Sequence, residues 1–522
     1  MPEKHPAPSA APETRIARPE LSVTVFSTGA GVMVVEILGT RIIGPVFGVS
    51  LFVWTALLVV TLASLAAGYY AGGVLVDKRP VRRLLGYVVV AAGALLGIVP
   101  ALRAPILSLC QGLGPRFGSL ISAALLFAPS LVAMGMVGPV AIRLATNDLQ
   151  ATGHRVGSVY AISTAGSVLG ALITSFVLIP GFETSHILVG TALFIILVGA
   201  VPLARRGQRS SLAALIFPFL GLSDLSPKLP AGLTVLERAQ SPYGLIEVID
   251  DDNRDVRLLR ADHSIIGAQV RSDKSAAFNF LHELEIVRFV RPDARTLLQI
   301  GLGIGSLPMA LKPHGIVSDI VEIDPDVLRF ARQHFGFSTQ GKEFVEDART
   351  LIQRVDRKYD IVVHDTFTGG GTPEHLLSLE VVQRIRDLLR PHGILALNFL
   401  GYDGGPKAEG TFAVARTLRA VFPVVRVFRD SAPSERPSSA TNLLFFASNE
   451  GLDFRIPPDA KFETEICAAA MRSFTDWEIL KSVPEGPIIT DSHNHLARLQ
   501  LPIAEEHFED MHELLPREVW VR

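Results

Sequence analysis

A glycine-rich segment near the middle of the chain, Gly301-Leu-Gly303-Ile-Gly305, has the spacing of a nucleotide-binding loop. It follows the apolar run 296–300, which is typical of a strand, and precedes a segment of helical character. Glycines at these positions let the backbone turn tightly and approach a ligand, while the amides at a helix start point toward it. Such a loop alone is a weak indicator, so its meaning depends on the neighbouring strand ends.

Acidic residues end the next three predicted strands. Glu322 ends the second strand about twenty residues after the loop, where a carboxylate can bind both ribose hydroxyls. Asp347 and Ala348 follow the third strand, within reach of an adenine ring, and Asp365 ends the fourth. Ligands of open α/β sheets bind at the carboxyl ends of the strands, so these positions predict one nucleoside-binding cleft. The alternative for each single acid is a helix cap or a solvated loop residue.

The elements that position these residues form a predicted Rossmann-like α/β domain over 291–522. Four apolar runs alternate with helical segments, which predicts a parallel, doubly wound sheet. These runs cover 296–300, 318–323, 359–363 and 393–398. Short alternating strands joined by an Asp-Asp-Asn turn precede them, so 231–290 is predicted to be a small β unit with a connecting helix.

The first half of the chain is far more apolar. The 522 residues include 48% hydrophobic and 19% charged ones, the mean hydropathy is +0.36, and long apolar runs fill 21–204. Because a membrane-spanning helix needs about 20 apolar residues, this region predicts an α-helical membrane domain of about six spans. The predicted spans are 22–46, 51–76, 83–102, 118–145, 156–180 and 185–204.

The segments that flank the predicted spans have their own patterns. The first 20 residues are rich in proline and lack an apolar run, which predicts a disordered tail and not a signal peptide. Residues 205–230 are predicted to form a linker with a short segment at the membrane interface. Basic residues gather in alternate loops, so the positive-inside rule predicts an inner-membrane protein with both termini and the C-terminal half in the cytoplasm. The loop residues are Lys78, Arg79, Arg82, Arg83, Arg143, Arg155, Arg205, Arg206 and Arg209.

Composition also excludes several classes of function. The net charge of −2 gives no electrostatic reason to expect a nucleic-acid partner. The two cysteines, Cys110 and Cys467, lie far apart and cannot build a disulfide framework or a cysteine-based zinc site. His493 and His495, two residues apart in a polar segment, are typical of a surface. The sequence therefore predicts no metal site.

Taken together, these motifs resemble the polyamine aminopropyltransferases, the spermidine synthase family, over about 233–450. The whole chain resembles the type fused to a membrane domain, on the stretches 68–73 and 157–166. The resemblance implies a class I methyltransferase-type fold that binds decarboxylated S-adenosylmethionine and transfers its aminopropyl group to an amine. It implies that Glu322 binds the ribose, that Asp347 contacts the adenine, and that Asp365 is the catalytic base. Pro373 would close the nucleoside pocket.

The chain departs from the family pattern on the side of the acceptor. Ile304 and Thr368 stand where the family has acids, and Gly244 stands where it has glutamine. His282 is displaced from the family's Tyr-His pair. We expect the substrate rim to contain His282, Phe367 and Thr368, next to the flexible-looking glycines 369–371.

Three functions remain open at this point. The first is a membrane-bound aminopropyltransferase-like enzyme that uses a small nucleoside and an amine or other acceptor. The second is a methyltransferase that uses S-adenosylmethionine itself, with a membrane-associated acceptor. The third is a transporter or sensor, supported by Glu36 and Arg41 in the first span, whose nucleoside-binding domain regulates it. The lipid bilayer is an expected partner in each case, and a homodimer would supply twelve spans.

Overall fold

The structure is a computed structural model that describes residues 18–48, 50–78, 82–145, 152–223, 225–368, 370–431 and 439–521. It divides into an N-terminal unit, Met1–Lys228 with Trp520–Arg522, and a C-terminal unit, Leu229–Val519. Most of the predicted tail lies outside the described residues, and the first helix already begins at Arg18.

The described part of the N-terminal unit is helical. Its helices are α1 (Arg18–Phe47), α2 (Leu51–Lys78), α3 (Arg82–Gly97), α4 (Val99–Cys110), α5 (Gly114–Ala145), α6 (Thr152–Ile173), α7 (Ile179–Gly181), α8 (Thr184–Arg205) and α9 (Ile216–Gly221). Glycines allow close packing between them, because a Cβ added to Gly68 of α2 would lie 2.3 Å from the carbonyl oxygen of Val132 on α5. Gly166 of α6 meets Phe26 of α1 in the same way.

Within the described residues, five helical stretches are long and apolar enough to cross a membrane, one fewer than the six predicted spans. They are Pro19–Phe47, Leu51–Lys78, Val99–Ala145, Gly153–Gly181 and Thr184–Arg205. The expected span 83–102 is divided at Ile98 between α3 and α4. Pro100 cannot donate the hydrogen bond that would continue α3. The remaining 16 residues of α3 rise about 24 Å, which is less than the roughly 30 Å of a bilayer core.

The C-terminal unit begins with a four-stranded antiparallel sheet in the order β1-β2-β3-β4. Its strands are β1 (Leu233–Gln240), β2 (Leu245–Asp251), β3 (Val256–Ala261) and β4 (Ser264–Val270). The predicted Asp-Asp-Asn turn joins β2 to β3. Two short helices, α10 (Asn279–Leu284) and α11 (Val287–Val290), lead to the second sheet.

The second sheet has eight strands in the order β12-β10-β11-β9-β8-β5-β6-β7. They are β5 (Thr296–Ile300), β6 (Val317–Glu322), β7 (Glu343–Val345), β8 (Tyr359–His364), β9 (Leu389–Gly401), β10 (Val424–Arg429), β11 (Thr441–Ser448) and β12 (Glu478–Ile479). The first five are mutually parallel, but β11 runs antiparallel to both β9 and β10. The sheet is therefore mixed, and the expectation of a wholly parallel sheet was wrong at this edge.

Helices cover both faces of this sheet, and strand periodicity explains why. Ile361 and Val363 of β8 pack into one apolar cluster, and Val362 packs into the cluster on the opposite face. A strand buried on both faces is apolar along its centre, as β8 is over 361–363. The helices are α12 (Ser306–Leu311), α13 (Pro325–Phe335), α14 (Ala348–Arg354), α15 (Leu379–Leu388), α16 (Glu409–Arg419), α17 (Glu465–Phe474), α18 (Leu496–Leu499) and α19 (Leu501–Leu514), and α20 (Arg517–Trp520) follows them.

Candidate active site

The carboxyl ends of β5, β6 and β8 bring the predicted nucleoside-binding positions side by side. The Asp365 amide donates to Ile300 O at 2.9 Å, and the Gly301 amide donates to Val321 O at 2.9 Å. The Glu346 amide donates to Glu322 O at 3.1 Å, which continues the row toward β7. The acids that are separated by up to 43 positions in sequence thus form one row along the sheet edge.

The glycine loop requires glycine for both conformation and space. Gly301, Gly303 and Gly305 have φ angles of 83°, 55° and 77°, in the left-handed region that side chains disfavour. A Cβ on Gly301 would also lie 2.1 Å from the carbonyl oxygen of Asp365. The loop can therefore lie against the end of β8 only without side chains at these positions.

Glu322 is joined to the glycine loop through its carboxylate. Oε2 accepts from the Leu302 amide and Oε1 from the Asp324 amide, each at 3.0 Å. Desolvation raises the pKa of Glu322, against these hydrogen bonds. Each carboxylate oxygen has a second lone pair, so both oxygens can still accept from a diol such as a ribose.

Asp347 caps the N-terminus of α14 and also contacts the turn that follows Pro373. Its Oδ1 accepts from the Thr350 amide at 3.0 Å, and His375 Nε2 lies 3.1 Å from Oδ2. Desolvation would raise the pKa of Asp347, but these two hydrogen bonds lower it overall. The link to His375 holds Pro373 near the third strand end, and Ala348 is the buried first residue of α14.

Asp365 follows β8 and is held by a residue that the sequence did not indicate. Asn398 of β9 donates its Nδ2 hydrogen to Asp365 Oδ1 at 3.0 Å. Desolvation outweighs this hydrogen bond and raises the pKa of Asp365 to about 6. The carboxylate can therefore exchange a proton near neutral pH, as a general base must. The signal available in the sequence was a single asparagine within an otherwise apolar predicted strand.

The rim after Asp365 is held in place by the C-terminal segment. Gln500 accepts from the Thr372 amide at 2.7 Å and donates to the Thr372 carbonyl at 3.0 Å. Thr368 and Gly371 exchange two backbone hydrogen bonds, which close a tight turn. Phe367 is partly exposed and Thr368 is exposed beside this turn, whereas Gly369 lies outside the described residues.

His282, expected at the substrate rim, lies in the protein interior instead. The residue is 5% exposed, and its Nε2 lies 2.8 Å from Ala276 O. Its Nδ1 faces Glu285 at 3.7 Å. The helix α10 directs this imidazole into the core, a direction that the displaced motif alone did not indicate.

Comparison with known proteins agrees with this geometry. Residues 284–401 match the family model described as the spermine/spermidine synthase domain. The C-terminal unit therefore contains a spermidine-synthase-like domain over these residues. The family predicted from the motifs is thereby confirmed, over a shorter range than the resemblance covered.

Individual relatives of the spermidine-synthase-like chain fall into two groups. A protein of Emericella nidulans called N-terminal histidine N-methyltransferase is 32% identical over 330 residues, 55% of this chain and 58% of the relative. The polyamine aminopropyltransferase of Vibrio vulnificus is 36% identical over 134 residues, 24% of this chain and 44% of the relative. The chain thus spans about half the length of the curated relatives it matches.

Among solved structures, the chain is similar to a probable spermidine synthase from Corynebacterium glutamicum. The TM-score is 0.38 at 18% sequence identity, and the match covers 54% of this chain and 95% of that one.

The glycine loop beside this row of acids contains an apolar residue. Ile304 is 2% exposed and packs with Val248 and Phe330 in an apolar cluster. Its Cγ2 fills the space that a Cβ on Gly267 of β4 would need, at 2.5 Å. The loop therefore offers no carboxylate at this position.

Proposed function

We propose that this protein is an S-adenosylmethionine-dependent methyltransferase that acts on a nitrogen atom of its acceptor. The observation that carries the choice of methyl transfer is Ile304. Decarboxylated S-adenosylmethionine carries a free ammonium group without the neighbouring carboxylate, and holding such a cation favours an acidic partner. A buried isoleucine cannot provide one, and the second position expected to be acidic is Thr368.

The glycine loop and the acids at the strand ends have separate roles in this proposal. The glycine loop and Glu322 hold the nucleoside, with Asp347 beside the adenine. S-adenosylmethionine supplies an electrophilic methyl group when it is bound. Asp365 accepts a proton from the acceptor nitrogen, because its raised pKa of about 6 suits proton transfer near neutral pH. Asn398 keeps the carboxylate oriented toward the cleft through its hydrogen bond to Oδ1.

The names of the relatives support a nitrogen acceptor in either kind of transfer. The Emericella protein is named for methylation of a histidine nitrogen, and the Vibrio protein for aminopropyl transfer to a polyamine. Aminopropyl transfer is therefore the second candidate, favoured by the synthase domain over 284–401. It would require the donor ammonium to be held without acids at Ile304 and Thr368.

We further propose that the N-terminal unit anchors the enzyme in the cytoplasmic membrane, with both termini and the C-terminal unit in the cytoplasm. Five long apolar helices and the basic residues of alternate loops support this placement. A membrane anchor would favour acceptors that are themselves close to the bilayer.

Calorimetric titration of the full-length protein in detergent tests the proposal. We expect S-adenosylmethionine and S-adenosylhomocysteine to bind at least tenfold more tightly than decarboxylated S-adenosylmethionine and methylthioadenosine. The opposite preference would replace methyl transfer by aminopropyl transfer. Failure of all four compounds to bind would reject a nucleoside-dependent transferase and leave a transporter or sensor as the remaining function.

A further inference from the structure

Three potential metal ligands from two separated stretches of chain meet in the interior of the C-terminal unit. His282 lies on α10, Glu285 directly follows it, and Cys467 lies on α17. All three residues are buried, and their ligand atoms lie within 4.8 Å of one another. The cluster is separate in sequence from the glycine loop and from the acids of the strand-end row.

Two of the three spacings between the ligand atoms fit a tetrahedral metal shell, and the third, between His282 and Cys467, is at most 4.8 Å. Glu285 Oε1 lies 3.6 Å from Cys467 Sγ and 3.7 Å from His282 Nδ1. Bonds of about 2.0–2.3 Å to a zinc ion place neighbouring ligand atoms of a tetrahedron about 3.5 Å apart. The side chains therefore need to move little to bind one ion.

The surrounding groups orient these ligands as the outer partners of metal sites do. Ala276 O can only accept a hydrogen bond, so the proton of the neutral imidazole is on Nε2 of His282, 2.8 Å away. The other ring nitrogen, Nδ1, faces Glu285 and is the atom that would bind the ion. Arg288 Nε lies 3.9 Å from Glu285 Oε2, which leaves Oε1 toward the thiol and the imidazole.

We propose that His282, Glu285 and Cys467 bind a divalent ion with the ligand preferences of zinc. Imidazole, carboxylate and thiolate together suit zinc, whereas magnesium and calcium prefer oxygen ligands. Three protein ligands leave the fourth position for water or a small anion. The bound ion would join α10 to α17 and so stabilise the packing of the helices beside the sheet.

Binding exchanges a proton for the metal at sulfur. The ion binds the thiolate form of cysteine, so the Cys467 thiol must lose its proton when the ion enters. The metal–sulfur bond replaces the S–H bond, and the proton is released to solvent.

A cobalt titration of the full-length, detergent-purified protein tests this site after treatment with a chelator. Cobalt replaces zinc and gives a thiolate-to-metal charge-transfer absorption only when it is bonded to cysteine. We expect one cobalt per chain with this absorption, and zinc should displace it. Cys467→Ser should lose the absorption, whereas Cys110→Ser, which removes the other cysteine of the sequence, should keep it.

A conservative variant covers the case in which Cys467→Ser does not fold. Glu285→Gln keeps the shape of the side chain and should weaken cobalt binding at least tenfold. Zinc should raise the unfolding temperature of the wild type and of Cys110→Ser more than that of Glu285→Gln. Absorption that survives in Cys467→Ser, or a wild type that binds no cobalt, would overturn the proposal.

Discussion

Replacing Asp365 by asparagine should abolish turnover and at the same time stabilise the fold. The pKa of Asp365 rises to about 6 because the carboxyl group is desolvated beside β5 and β9. Raising a carboxyl pKa from about 4 to about 6 corresponds to about 3 kcal/mol against the ionised form. The side chain is partly exposed, so solvent screening reduces the expected gain for Asp365→Asn to about 1–3 kcal/mol at pH 7.

The sign of the pH dependence follows from the same shift. The folded state binds the proton of Asp365 more tightly than the unfolded chain does, so this group's contribution to stability falls as the pH rises from about 4 to about 6. Turnover should show the opposite trend, because the base must be ionised. It should fall about tenfold per pH unit below about pH 6.

The assay combines thermal unfolding with a measurement of turnover. Turnover is followed as the thioether product formed from S-adenosylmethionine in the presence of a mixture of peptide and polyamine acceptors. Asp365→Asn should lose about 100- to 10,000-fold of the turnover, as expected for removal of a general base. Asp360, at the other end of β8, is the matched control. Desolvation opposes ionisation there as well, but hydrogen bonds from Arg295 and Thr296 lower the pKa of Asp360 overall.

Asp360→Asn should therefore lose stability and keep its turnover per folded molecule. An Asp365→Asn variant with wild-type turnover would refute the assignment of the base. A loss of stability in Asp365→Asn like that of Asp360→Asn would refute the account of its pKa.

Two further predictions concern other acids of the C-terminal unit. Glu322→Ala should weaken S-adenosylhomocysteine binding by about 2 kcal/mol, roughly 30-fold, because a carboxylate that bridges the ribose hydroxyls is lost. Glu343→Gln, in the neighbouring strand, is the calorimetric control, and equal affinities would contradict the ribose contact. Desolvation and the nearby Asp430 raise the pKa of Glu283 to about 9, so the folded state keeps a proton that the unfolded chain releases. The unfolding temperature should fall as the pH rises from about 5 to 9, and Glu283→Gln should remove most of that fall; an unaltered slope would contradict it.

The sequence predicted the part of the site that depends on local signals. A strand, a glycine loop and a helix follow each other within 296–311, and each subsequent acid lies at the end of its own strand or within two residues of it. Their order along the sheet then follows from the parallel topology, so Glu322 and Asp365 could be expected in one row.

The missing parts depend on contacts between distant segments. Asn398 meets Asp365 from 33 positions away, and Gln500 meets Thr372 from 128 positions away. No local pattern specifies such pairs, because any buried polar residue needs a partner and the sequence does not say which. The direction of His282 was missed for a related reason: a six-residue helix is too short to establish by periodicity which face is buried.

The antiparallel edge of the sheet was missed because β10 and β11 follow the segment in which strands and helices alternate. Alternating strands and helices predict parallel strands that are joined by crossover helices. The connection from Arg429 to Thr441 contains no such helix among its described residues, and a short connection favours antiparallel pairing. The division of the third predicted span was foreseeable in principle, since Pro100 stands inside an otherwise uniform apolar run.

The two hydrogen bonds from Gln500 to the backbone of Thr372 have an evolutionary consequence. The side-chain amide of Gln500 makes the two backbone hydrogen bonds that a neighbouring strand would otherwise make to Thr372. These bonds do not depend on which side chains the bound segment carries. The path of the rim is thus specified from outside the rim. Its residues can diverge while its backbone path persists, so substitutions in the rim need not alter the fold that presents it.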